Sequence, residues 1–352
     1  MEIIFLNEQD LSIIDHGYAT DDYEIVLDAL IPQKSSFVIN KPALNVELGD
    51  YLVVRDRGYF YIGIITGIEK QEDETTKVNT KDFLGILDVT VPVSSFTGSI
   101  SQFLIDLIRS HFKWSGDAYQ NLSYLTTQID FTKTGTLTYD ADATANILDL
   151  VEEFSKTYGI RLAYELIISN GSITGICVKA VAVTKGITIR SDLGTITNLL
   201  ISDANENSVN KIIFFPKSDN TSHTGTVSYY LLTNGTVSTL ATSPYRIEKV
   251  RFKYQAYSDK DYTSLQTKAT SALIDSSLEH SITFDFSFVT NGIEALADLS
   301  IGAFVEFITP LKTYETLVTK IKYKGTFDSA EITLGEYRVS LTDKLKLLDR
   351  RK

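Results

Sequence analysis

One cysteine, one methionine, one tryptophan and four histidines stand among 352 residues, and these scarcities exclude several kinds of chemistry. A lone Cys177 closes no internal disulfide, and its strand-like neighbours Gly175, Ile176 and Val178 predict a buried, inert thiol, so the fold must hold by packing. The histidines, His16, His111, His223 and His280, show no HExxH or other metal-ligand spacing, which disfavours a metal site. His111 falls in a helical pattern ending near Lys113, where a cation complements the helix dipole, and His223 sits in a polar loop; position accounts for both. The absence of a GxSxG elbow, a P-loop and a GxGxxG after a strand disfavours phosphate-binding enzymes. No apolar run reaches about eighteen residues, and Met1 to Leu6 is short with no basic region before it, so neither a membrane span nor a secretory signal is expected. Basic residues are also outnumbered, 33 Lys and Arg against 45 Asp and Glu, giving a net charge of -12. That balance argues against affinity for a phosphate backbone. It serves solubility in many proteins, and on a channel wall it would let nucleic acid slide past without sticking.

What the chain does have is 43% hydrophobic residues over a length that accommodates several cores. Short β-rich runs dominate the first part: Glu24 to Ile31, Ser36 to Ile39, Asp50 to Arg55, Tyr59 to Glu69 and Thr80 to Leu87, with Asp56-Arg57-Gly58 as a tight hairpin. They predict a small antiparallel β-barrel over residues 1–95. An α+β insertion is expected over 96–190. Its first helix starts at a Ser99 to Gln102 capping box with Ile100, Phe103, Leu104, Leu107 and Ile108 in one stripe. Its second helix starts at Asp142 as N-cap and stops at Gly159. Strands Arg161 to Ile168 and Thr174 to Ala182 follow, turning at Asn170-Gly171.

Residues 191–257 read as a β-rich connecting domain with an exposed loop at Ser218 to Thr226 and a hairpin turn at Asn234-Gly235. A second barrel is expected over 258–352. It would open with a helix from Asp259 to Ser277, whose inner face is Tyr262, Leu265, Ala269, Ala272, Leu273 and Ser276. A strand alternating Ile282, Phe284, Phe286 and Phe288 follows, then strands at Ala330 to Gly335 and Glu336 to Leu341. The basic tail from Asp343 to Lys352 reads as a solvated terminus or a dock for an acidic neighbour.

The strongest internal signal is a repeat. Leu48-Gly49-Asp50-Tyr51-Leu52-Val53 answers to Ile301-Gly302-Ala303-Phe304-Val305-Glu306, and at the same spacing Tyr61 to Ile68 answers to Tyr314 to Ile321. Apolar replaces apolar at most positions and the turn glycine is kept, as a duplicated β module requires. Gly49, Tyr51, Tyr61, Gly302, Phe304 and Tyr314 are therefore the expected barrel-core and ring-interface residues.

Candidate chemistry is thin. Asp140 and Asp142, near Asp130, form an acid pair of the kind glycoside hydrolysis uses, although Asp142 is already engaged as a helix cap. Asp21, Asp22 and Glu24 lack the glycine-containing ligand loop of a calcium site. Trp114 beside Tyr119 and Tyr124 is the one candidate glycan platform, with packing below the helix as the ordinary account.

Two barrels, an α+β insertion and no catalytic signature resemble the central tail-hub proteins of tailed bacteriophages: the N-terminal region of the tail-associated lysin family and the hubs of contractile baseplates. The residues carrying the resemblance are Ile31-Pro32, Ser36 to Ile39, Leu48 to Val53, Gly63-Ile64-Ile65, Asn210 to Ile213 and the terminal barrel. The resemblance implies a non-enzymatic virion protein, made in the host cytoplasm and placed at the tail tip. It implies a homotrimer whose two barrels per copy make a pseudo-sixfold ring below the distal tail protein, with the middle domain forming a cone that closes or opens a DNA channel. Implied partners are the distal tail, tail tube, tape-measure and receptor-binding or fibre proteins. DNA would pass without specific binding and no cofactor is implied. Many relatives continue into a lytic region; a chain stopping at Lys352 is expected to leave hydrolysis to another protein. A cell-wall hydrolase and a host-carbohydrate-binding adhesin are the alternatives.

Overall fold

The computed structural model describes all residues except 29–32, 57–58, 140, 183–186, 204–208, 219–224, 233–235, 259–261, 263, 278–279, 289–298, 326 and 336–352. Alternation of inward and outward side chains builds the first unit. Its strands are β1 (Glu2–Leu6), β2 (Ile13–Asp28), β3 (Lys34–Ile39), β4 (Tyr51–Asp56), β5 (Tyr59–Lys70) and β6 (Thr76–Asp82). They pair in the order β1-β4-β5-β6-β3-β2, and a β1–β2 pairing closes the barrel. Ile3, Phe5, Phe37, Ile39, Tyr61 and Val78 fill it. The run at Met1, too short for a signal, is thus a barrel strand. The strand expected from Thr80 to Leu87 breaks at Asp82, whose carboxylate accepts the Leu84 N–H at 2.9 Å and caps a 3₁₀ turn, Phe83–Leu87. A side-chain acceptor here outcompetes the sheet ladder for the backbone donor. Arg57 and Gly58 lie outside the described residues, but Asp56 pairs with Tyr59 across them.

The middle unit contains β7 (Thr90–Pro92), β8 (Phe96–Ser99), α1 (Ile100–Phe112), β9 (Leu125–Ile129), β10 (Thr134–Leu137), β11 (Thr144–Asn146), α2 (Ile147–Tyr158), β12 (Ile160–Ser169) and β13 (Ser172–Ala182). Asn170 (φ 51°) and Gly171 (φ 82°) make the predicted β12–β13 turn, and β9 joins β13 in parallel. Ser99 caps α1 by accepting the Gln102 N–H at 3.2 Å. The Gln102 side chain, however, donates forward to Asp106 at 2.6 Å, so only half of the expected capping box is made. The N-cap of α2 is Asn146, which accepts the Leu148 N–H at 2.9 Å, and not Asp142. Pairing of Thr144–Asn146 with Thr90–Pro92 holds the intervening residues extended and delays the helix. Gly159, in the left-handed region at φ 65°, ends α2 as predicted.

After β14 (Thr188–Arg190) and β15 (Ile196–Asp203) comes a separate small layer of β16 (Lys211–Pro216), β17 (Val227–Leu231), β18 (Val237–Ser238) and β19 (Phe252–Tyr257), in the order β18-β17-β16-β19. Helix α3 (Leu265–Ser277) covers this layer with Leu265, Ala269 and Leu273 against Ile212, Phe214 and Tyr229. Tyr262, expected on its inner face, precedes the helix and is exposed. The Asn234-Gly235 turn, the strand expected from Glu336 and the basic tail lie outside the described residues.

The second six-strand unit combines β14 and β15 with β20 (His280–Ser287), β21 (Phe304–Ile308), β22 (Thr313–Lys324) and β23 (Ser329–Leu334), in the order β15-β20-β23-β22-β21-β14. The 258 boundary therefore moves. Strand β15 pairs with β20 from Ile196 opposite Phe286 to Asp203 opposite His280, so the β16–α3 layer is inserted within the second unit and not placed before it. The copies also differ at one position: β14 runs parallel to β21 where β1 runs antiparallel to β4. Among the described residues β14 and β15 do not pair, which leaves the second unit open where the first is closed. The whole is mainly β with an α+β insertion. Among the described residues no helix is long and apolar enough to cross a membrane.

Candidate assembly surface

The sequence repeat is a repeat of hydrogen bonds. Gly49 (φ 103°) donates to the Ile65 carbonyl at 3.0 Å, and Ile65 N–H returns to Asp50 at 2.8 Å. Gly302 (φ 77°) donates to Val318 at 2.8 Å, and Val318 N–H returns to Ala303 at 2.9 Å. Positive φ at both explains why the glycine persists while its neighbours drift. The β5–β6 ladder shifts register between Ile65 and Gly67, and the β22–β23 ladder shifts between Val318 and Lys320, so even the bulge recurs. Across four strands the paired row Glu24, Ser36, Asn79, Gly67 in the first unit matches Leu200, Thr283, Thr333, Lys320 in the second.

The predicted aromatic residues divide between two faces. Tyr61 and Tyr314 point into the core, Tyr61 with its hydroxyl 2.9 Å from Thr80 Oγ1 and Tyr314 with its ring 5.1 Å from that of His280. Tyr51 and Phe304, the first residues of the equivalent strands β4 and β21, face outward. Tyr51 is sealed by the middle unit: its hydroxyl donates to Tyr124 Oη at 2.6 Å, and Tyr124 donates on to the Glu8 carbonyl at 2.8 Å. Burial pushes the Tyr51 hydroxyl above its ordinary pKa and Tyr124 further. Phe304 is only half-buried. The face around it has changed character: Val53 and Ile62, buried under the middle unit, correspond to Glu306 and Glu315, which is exposed. A second contact ties barrel to insertion, where Tyr164 donates to Asp82 Oδ2 at 2.7 Å; enclosure of that carboxyl pushes its pKa up to about 6.

The two units join edge to edge. Strand β2 pairs antiparallel with β22, Glu24 opposite Lys324 through Asp28 opposite Lys320, and one hydrophobic core runs from Ile3 to Leu334 across the seam. Tyr23 and Phe327 rings meet there at 5.9 Å, and Lys322 Nζ lies 2.8 Å from Glu24 Oε2. Gly325 (φ 66°) turns the chain away by donating to the Tyr23 carbonyl at 3.1 Å. The sequence reading missed this seam. Its signal was Lys320, Lys322 and Lys324 recurring on alternate positions of the second copy, facing strand residues Glu24 and Asp28.

The candidate chemical residues are not brought together. Asp142 is exposed in a turn, and Asp140 lies outside the described residues. Trp114 is exposed with the Arg109 guanidinium 5.6 Å from its ring centroid, Tyr119 is fully exposed, and Tyr124 has turned inward to Tyr51, so no three-ring platform forms. Of the acidic group Asp21, Asp22 and Glu24, which lies within β2, Glu24 is spent on Lys322. No cluster of three or more metal-ligating side chains occurs among the described residues.

No family model matches the sequence, and no curated protein matches it either. Solved structures do. A tail protein from Neisseria meningitidis aligns over 95% of this chain and 97% of its own with TM-score 0.58 at 15% identity. The prophage tail protein gp18 from Listeria monocytogenes aligns over 99% and 100% with TM-score 0.55 at 14% identity. The 43 kDa tail protein of prophage MuSo2 from Shewanella oneidensis aligns over 95% and 98% with TM-score 0.56 at 11% identity. At these identities the likeness is one of fold, and it spans the barrels, the middle unit and the inserted layer together: this chain has the fold of phage and prophage tail proteins.

Proposed function

We propose that this chain is a structural hub at the tip of a phage tail, assembling as a homotrimer whose two six-strand units per copy present six near-equivalent faces. A threefold ring meets a sixfold tail without mismatch when each copy offers the same contact twice. The observation that carries the reading is the duplicated unit itself, matched in strand order, turn glycine and bulge and fused through one sheet at β2–β22. Support comes from the fold shared with tail proteins over nearly the whole chain. In this reading the distal tail protein and tail tube lie against the ring, the middle unit closes the channel below it, and the acidic balance lets DNA pass without being held. Tape-measure and fibre proteins complete the set of partners, and the hub performs no hydrolysis.

The test is mass in solution combined with low-resolution imaging. A closed trimer with six peripheral lobes is the expected result. A chain that stays monomeric at every concentration, and beside its distal tail protein, overturns the proposal. Release of fragments from purified cell walls that vanishes in Asp142→Asn would replace it with an enzymatic role.

A further inference from the structure

The intrachain seam has a counterpart whose two halves belong to different units of the same molecule. In the second unit β15 stands where β2 stands in the first, since Leu200 and Glu24 occupy the same place in the four-strand rows. One edge of β2 pairs with β3 and the other with β22. Strand β15 pairs with β20 on one edge, and among the described residues no strand takes the other. Likewise the tail of β22 that receives β2 corresponds to the tail of β5. There β4 stops at Ile64 and the Gly49–Ile65 bonds, so from Gly67 onward β6 is the one strand paired with it among the described residues. The β15 edge is apolar for an exposed strand, and the tail of β5 exposes Ile68 between Gly67 and the charged Glu69 and Lys70. Leu199 and Leu200 are 37% and 67% exposed, and Ile68 is 36% exposed. Exposed strand edges of this kind are ordinarily blunted or covered, because they template pairing with another chain.

We propose that the outer edge of β15 in one copy pairs antiparallel with the tail of β5 in the next, so that interchain seams alternate with the intrachain β2–β22 seam around the ring. This rests on the trimeric hub reading and names the partner surface within it. The intrachain seam fixes the register: Glu24 opposite Lys324 becomes Leu200 opposite Gln71, followed by Ile201 opposite Lys70, Ser202 opposite Glu69 and Asp203 opposite Ile68. Ile201, already packed against the shared core, then lies diagonal to Ile68 on the same face, as apolar cross-strand neighbours do. Where the intrachain seam carries the Lys322–Glu24 ion pair, the corresponding positions hold Glu69 and Leu200. The two kinds of seam therefore differ in chemistry, so each edge discriminates between its own partner and the wrong one.

Paired cysteines on the full-length chain test both contact and register, since directly opposed residues come within disulfide reach and residues two positions off do not. Ser202→Cys with Glu69→Cys, and separately Ile201→Cys with Lys70→Cys, sample both kinds of antiparallel pair. At least one is expected to give a covalent trimer on a non-reducing gel that collapses to monomer on reduction. Ser202→Cys with Gln71→Cys, out of register on the same face, is expected to stay uncross-linked. A particle with trimer mass that gives no cross-link from either in-register pair, or equal cross-linking from the control, overturns the edge pairing and leaves the trimer standing. A wild-type chain that is monomeric throughout overturns both.

Discussion

Gly63 sits where a methyl group has nowhere to go: a Cβ there would lie 2.5 Å from Thr80 Oγ1 and 2.7 Å from Thr80 Cβ and a Tyr61 ring carbon. Gly63→Ala is expected to cost about 2–3 kcal/mol through overpacking of the closed barrel. Gly302→Ala, whose nearest neighbour atom is 3.5 Å away, carries only the strain of its φ of 77° and is expected to cost on the order of 1 kcal/mol. Urea titrations of the two variants check the ranking. Asp82 gives a pH signature. Its folded pKa of about 6 lies above the ordinary 3.8, so the native state keeps a proton that the unfolded chain releases. Stability from this group is therefore fully present below about pH 4 and falls as pH rises towards 6. Asp82→Asn keeps an oxygen for the Leu84 N–H while removing the charge. It is expected to flatten the stability profile across that window, read from chemical denaturation across pH, although its Nδ2 cannot accept the Tyr164 hydroxyl that Oδ2 accepts.

Among elements, the hold of the middle unit on the first barrel is concentrated in the Tyr51, Tyr124, Glu8 relay. Tyr124→Phe removes both the acceptor for Tyr51 and the donor to Glu8, leaving a buried hydroxyl unpaired, and is expected to cost about 1–3 kcal/mol. Tyr51→Phe leaves the Tyr124 to Glu8 bond intact and should cost less; a thermal unfolding comparison decides. The seam between units behaves differently. Lys322→Ala deletes a partly exposed ion pair and is expected to change stability by less than about 1 kcal/mol, because the core around Ile25, Ile321 and Tyr323 carries that junction.

For the whole molecule, two aromatic positions of the second copy call for opposite outcomes. Tyr314→Asp places a charge in the shared core and is expected to abolish cooperative folding, whereas Phe304→Asp, on a half-buried outward face beside Glu306, is expected to leave a folded chain by circular dichroism. The duplicated strands, the Asn170-Gly171 turn, the Ser99 and Gly159 helix caps and the aromatic alternation from Ile282 to Phe288 were all legible, because each is written in neighbouring residues as a period of two, a period of 3.6 or a backbone angle only glycine tolerates. The start of α2 was misplaced because a strand pairing with Thr90–Pro92 competes for the residues after Asp142. Membership of β15 in the second unit was invisible because its partner β20 lies beyond an inserted layer of some seventy residues, and hydrogen bonds across such a gap leave no local periodicity. By itself the sequence determined that a β module occurs twice and which of its side chains alternate, since steric and hydrophobic preferences act residue by residue. Only the tertiary structure decided that the copies share one sheet through β2 and β22 and that, among the described residues, the second keeps an unpaired edge, because which strand lies beside which is settled by burial over the whole chain.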